Sequence, residues 1–103
     1  LDEPYLAAIR RGIDSPVGIA AAAIRERRVV VVEDSAADPR LSGTGHAIRM
    51  GSRSAAALPI AVAGEVTGVL VLHARERGFF DQGEVRLLQE VAGDIGFALE
   101  YLE

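Results

Sequence analysis

Two histidines, His46 and His73, one methionine, Met50, and eleven arginines are the side chains of this 103-residue chain best suited to hold a ligand. The chain has no cysteine, which excludes disulfides, thiolate metal sites, thiol nucleophiles and thioether attachment of a chromophore. Lysine is missing too, so no Schiff base or P-loop lysine is available. An imidazole at His46 suits a haem iron or a pocket hydrogen bond, with Met50 four residues on sharing its face of a short helix. The preferred reading is plainer: a partly exposed histidine. His73, at the end of a strand, reads as a surface residue. Arg53 follows the short helix directly, where its guanidinium could fork onto a ligand carboxylate or phosphate. The preferred competitor is an ion pair with Asp34 or Glu33, and Arg40 reads the same way. Glu33, Asp34 and Asp38 with the two histidines lack the spacing of a metal site, and none is expected. No Gly-x-Ser-x-Gly elbow surrounds any serine, so no catalytic residue and no enzyme is expected.

These side chains need elements to place them. At 103 residues the chain fits one domain, spanning 1–103, large enough to bury about two thirds of its unfolded surface. Fifteen acids against eleven bases give a net charge of -4, so no general field draws it to nucleic acid or anionic lipid. No apolar run approaches the roughly 20 residues of a membrane span. Ser15-Pro16 makes a helix start, with a hydroxyl to cap and a proline that loses no bond at the first position. That helix is expected to run to about Glu26, placing Val17, Ala20, Ala21 and Ile24 on one face. Val29 to Val32 is continuously β-branched and reads as a central strand covered on both faces. Asp34 to Ser42 is a loop by composition, and Thr44 to Met50 a short helix stopped by Gly51.

Arg53 to Val62 and Val66 to Leu72 have the length and bounding residues of paired antiparallel strands, turning at Ala63-Gly64-Glu65, with Pro59 marking an edge or a bulge. From Asp81 the helix signal is strongest. Asp81 can cap, Glu84 completes a box-like arrangement, and Leu88, Ala92, Ile95, Leu99 and Leu102 step by four and three. The stripe reads as a core face or a dimer seam, with the seam preferred. Ala55, Ala57 and Ala61 alternate on one face, leaving room for a ligand or for a closely packed helix.

In this order the pieces resemble a GAF domain, a small-molecule-sensing module of bacterial signalling proteins. The likeness rests on Leu58-Pro59-Ile60 followed by Gly64, Val66, Gly68, Val69 and Leu70, with Asp38-Pro39-Arg40 before and Phe80-Asp81 after. It covers about the last 90 residues. The first helix and first two strands of the family are not recognisable, so an N-terminally truncated domain is expected. PAS domains and the effector domain of IclR-type transcription regulators share the architecture.

The resemblance implies an α/β (α+β) fold, GAF/PAS-like: a central antiparallel sheet with a long terminal helix on one face and short helices and loops forming a pocket on the other. It further implies a cytoplasmic, non-catalytic sensory domain. A small molecule would bind at Asp34, His46, Met50, Arg53 and Ala57. A homodimer would form through Leu88, Ala92, Ile95, Leu99 and Leu102, signalling to an output domain of histidine kinase, PAS or GGDEF type in the same polypeptide. That covers two-component and cyclic-di-GMP signalling. The alternatives are a degenerate dimerisation spacer and a transcription-regulator effector domain. The Asn-Lys-Phe-Asp-Glu set of cyclic-nucleotide-binding members has no asparagine or lysine here. Bilin attachment and the free methionine sulfoxide reductases of this fold both use cysteines and are excluded. Haem is not expected, and the ligand's identity stays open.

Overall fold

In the computed structural model, which describes residues 5–11, 18–38, 49 and 51–101, the elements run β1 (Tyr5–Arg11), α1 (Ile19–Glu26), β2 (Val30–Val32), β3 (Ser54–Val62), β4 (Glu65–Ala74) and α2 (Gln82–Glu100). The four strands form one antiparallel sheet in the order β1-β4-β3-β2. α1 covers one face and α2 the other.

The β3–β4 hairpin stands where its sequence places it. Val62 pairs with Glu65, leaving a two-residue turn in which Ala63 and Gly64 both have positive φ, 52° and 83°. Such a turn matches the right-handed twist of the strands it joins, and glycine adopts it freely. Pro59 is accommodated on both expected grounds. β2 pairs only with Ala55 to Ala57, so among the described residues no neighbour on that side needs a donor at Pro59, and the register shifts just beyond, between Ile60 and Ala61.

Three expectations are corrected. β2 lies at the end of the sheet rather than at its centre. Its valines are still enclosed from both sides, Val30 and Val32 beneath α1 and Val31 against the α2 layer. A strand also occupies Tyr5–Arg11, where the sequence shows none; it pairs along β4 from Tyr5 with Ala74 to Arg11 with Gly68. α1 starts at Ile19 behind Gly18, which supplies no side-chain cap; Ser15 and Pro16 lie outside the described residues.

On the α1 side the core joins Ile19, Ala22 and Ala23 to Val30, Val32, Ala55, Ala57, Val69 and Val71. On the α2 side Leu88 and Ala92 join Ala56, Leu58, Ile60, Leu70, Leu72, Ala74 and Phe80. α2 begins as expected: the Asp81 carboxylate accepts the Glu84 backbone N–H at 2.9 Å, satisfying one of the donors a helix start leaves open. The proposed seam, however, faces inward. Leu88 and Ala92 are 9% and 5% exposed, and Ile95 and Leu99 pack beside them, because four-three spacing serves a sheet as well as a partner helix. Leu102 lies outside the described residues. The outward apolar side chains here are Leu87, Val91 and Phe97 of α2 and Tyr101 just after it, the last two rings 5.0 Å apart.

α2 touches the sheet most closely at Gly96. A β-carbon there would overlap the carbonyl oxygen of Ala61 and stand 3.2 Å from its carbon. Gly93, one turn earlier, faces open space. The two glycines therefore respond oppositely to the same change. Gly93→Ala is expected to raise stability by up to about 1 kcal/mol through helix propensity. Gly96→Ala is expected to lower it by about 2–3 kcal/mol despite that gain, since helix and strand must part. Urea denaturation of the two variants, with equal slopes, checks both signs.

Candidate functional site

The end of β2, the start of β3 and the end of β4 meet at one end of the sheet, where Val32 pairs with Ala55 and Ser54 with Ala74. Leaving β2, the chain makes an Asx turn: the Asp34 carboxylate accepts the Ala36 N–H at 3.1 Å and the Asp34 carbonyl accepts those of Ala37 and Asp38. Aspartate favours this geometry because its short side chain mimics a backbone turn. It leaves Ser35 fully buried, with its N–H donating to the Arg53 carbonyl at 2.9 Å.

Ser35 belongs to a buried knot of hydroxyls. Its Oγ lies 2.8 Å from Ser52 Oγ, which lies 2.9 Å from His73 Nδ1 and 3.3 Å from the Ser54 carbonyl oxygen. Ser54 Oγ in turn donates to the Glu76 carbonyl at 2.6 Å. Among the described residues no buried side-chain nitrogen or oxygen lacks a partner, as a buried polar group requires. Ser52 carries one proton and can use it in two directions. With Nδ1 unprotonated, Ser52 donates to the ring and accepts from Ser35; with Nδ1 protonated, Ser52 accepts from the ring and donates to the Ser54 carbonyl. The spacing of Ser52 and His73 is that of a nucleophile and its base. Ser52, however, is 4% exposed and its hydroxyl is committed to three neighbours, so the pair serves to bind the loops together. Around the knot, Gly78 N–H donates to the Glu33 carbonyl at 2.9 Å and Arg77 reaches the Asp34 carboxylate at 3.6 Å.

Asp34 and Arg53 are thus brought to one place, but not as partners: Asp34 takes Arg77, and Arg53 stays exposed and joins through its backbone. Ala57 is fully buried in the core shared with α1. Ala55 and Ala57 therefore resolve as close helix packing, with no surface at Ala57 to offer a ligand, whereas Ala61 is exposed beyond the register shift. His46, Met50 and Arg40 lie outside the described residues. Ser35, Ser52, Ser54 and His73 were not singled out as a group by sequence reasoning; three serines and a strand-end histidine spread over 39 positions carry no local signal. A usable hint was that Ser52 and Ser54 bracket Arg53 at the edge of the strongest hairpin.

Comparison with known proteins gives this geometry its context. The family model described as "GAF domain" matches residues 3–100. The GAF domain region of a Geobacter sulfurreducens protein is 19% identical over 95% of this chain and 82% of its own, with a TM-score of 0.80. A domain of a Sinorhizobium meliloti two-component sensor histidine kinase is 15% identical, covering 73% of this chain and 52% of its own, at a TM-score of 0.62. These two show the fold. The free methionine-R-sulfoxide reductase of Neisseria meningitidis, solved with its substrate, is 27% identical over 79% of this chain with a TM-score of 0.67. This chain spans 46% of that reductase. No curated protein sequence matches the chain. The reductase corrects the expectation that the chain is no enzyme: a protein with this fold and 27% identity over the matched region is a catalyst. No helix among the described residues is long and apolar enough to cross a membrane.

Ser52 is the centre of the knot and Ser35 its margin. Ser52→Ala removes all three hydroxyl contacts at once and is expected to cost about 2 kcal/mol, against about 1 kcal/mol for Ser35→Ala. The double variant is expected to cost less than the sum, because the two hydroxyls share one bond. Chemical denaturation of the three variants measures this; equal single costs that add fully would show that the hydroxyls act separately.

Proposed function

The chain belongs to the GAF domain family, and on that premise we propose that it is a sensory module in which a small molecule, bound beside the hydroxyl knot, sets how α2 is held for a linked output domain. The observation that carries this reading is the tether between knot and helix. β4 ends at Ala74 and α2 begins at Gln82. Between them the Glu76 carbonyl is held by Ser54, Arg77 by Asp34 and Gly78 by Glu33. Phe80 is then buried beneath α2, with its ring edge-on to Phe79 at 5.2 Å, and Asp81 caps the helix. A ligand that displaces the loop after β2 therefore pulls on the segment that starts α2. Such a ligand changes the output only by binding the two arrangements of α2 unequally.

The homodimer expected from the sequence enters this reading in altered form. With Leu88 and Ala92 engaged against the sheet, pairing of two copies would use Leu87, Val91, Phe97 and Tyr101 instead. A second reading is reduction of free methionine sulfoxide, favoured by the 27% identity to the Neisseria enzyme. Any thiol for that chemistry would have to come from outside these 103 residues, which hold no cysteine.

A thermal-shift screen of small metabolites is expected to yield stabilising compounds, and hydrogen exchange with a hit is expected to slow at residues 33–38 and 76–85 together. Protection confined to 33–38 would refute the coupling, and a screen without hits would refute the sensing. Turnover of methionine-R-sulfoxide with dithiothreitol would replace the sensor by the enzyme.

A further inference from the structure

Beside the knot, two arginines are held together with no acid between them. The β3–β4 register ends at Ser54 and Ala74, and the Arg53 N–H donates to the Ala74 carbonyl at 2.7 Å, which brings the backbone of Arg53 beside the segment that carries Arg75. Arg75 lies over Gly51, its Nε 3.7 Å from where a β-carbon would stand, and so leans toward the segment that carries Arg53. Like charges on adjoining segments repel. The usual relief, a neighbouring carboxylate, is not taken. Asp34 is engaged by Arg77, Glu33 and Glu76 are exposed, and among the described residues neither Arg53 nor Arg75 makes an ion pair. In a chain of net charge -4, two exposed arginines on adjoining segments beside a buried hydroxyl cluster invite an anion from outside.

We propose that Arg53 and Arg75 together form the recognition site for a small-molecule oxyanion, a carboxylate or a phosphate, each guanidinium presenting its planar fork of N–H donors. The proposal rests on the sensory reading and names the chemical class of its ligand. It places the anion against the segments that carry Ser52 and Ser54, at the start of the tether to α2, where neutralising one charge pair alters the loop that α2 depends on.

The test titrates the purified chain with inorganic phosphate and, separately, with succinate, following the melting temperature against sodium chloride at matched ionic strength. One of the two probes is expected to stabilise saturably beyond chloride, and which one does so separates phosphate from carboxylate. Arg53→Gln and Arg75→Gln are each expected to weaken that binding at least tenfold while melting at or above the parent at low salt, because each removes the repulsion. Arg53→Lys, which keeps the charge without the fork, is expected to fall between. Arg86→Gln, on the exposed side of α2, is expected to change nothing. Stabilisation no greater than chloride's, or equal in the glutamine variants, overturns the proposal. If neutral metabolites then stabilise the chain with undiminished effect in both variants, the sensory reading survives and only the oxyanion is lost.

Discussion

Much of this fold is arranged around the first half of β3, which is covered on every side at Ala55 to Ala57 yet carries almost no bulk there. β3 is flanked by β4 along its length and by β2 over Ala55 to Ala57, and those three alanines are fully buried, two beneath α1 and one beneath the α2 layer. Small side chains here let both helices approach the sheet closely, and dispersion contacts rise steeply as backbones approach. The limit is reached where Gly96 meets the Ala61 carbonyl. It falls at the register shift, where the strand turns a backbone group out of its regular ladder. Helix position and strand irregularity are thus one constraint, since neither can shift while the other stays.

Such a core leaves little apolar material at the end of the sheet where β3 begins, and there the structure turns to hydrogen bonds. Ser35, Ser52 and Ser54 are buried where larger apolar side chains would otherwise have to fill the space, and each is tied to a segment distant in sequence. A buried hydroxyl network of this kind is specific rather than strong. Each bond contributes little net, but leaving one unmade costs more than making it gains. That asymmetry holds the loop after β2 in a single place.

The legibility of each part follows from the range of the forces behind it. The hairpin and the Asp81 cap depend on residues within four positions of one another, and both were readable. The inward turn of Leu88 and Ala92 was not, because their spacing fits a sheet and a second helix equally, and only the tertiary fold distinguishes them. β2 misleads for a similar reason: an unbroken run of valines reports burial on both faces, which a strand at the end of the sheet attains when layers on either side reach over it. β1, with the sequence Tyr-Leu-Ala-Ala-Ile-Arg-Arg, lacks alternation and turn signals and gains its conformation from pairing with β4. The knot was the least legible element, since whether a serine is buried depends wholly on partners elsewhere in the chain.

The two chemistries at that end of the sheet are complementary. The hydroxyls are buried and satisfied among the described residues, so they set geometry without calling for a ligand. The arginines are exposed and unneutralised, so they supply attraction without fixing a position. On the proposed reading, a bound anion would fix the two side chains over this rigid base, a position they do not hold by themselves. The same base is bonded through Glu76, Arg77 and Gly78 to the segment that starts α2. On the proposed reading, rigidity in the knot would pass a local change in charge on to the helix, whereas a mobile loop would absorb it.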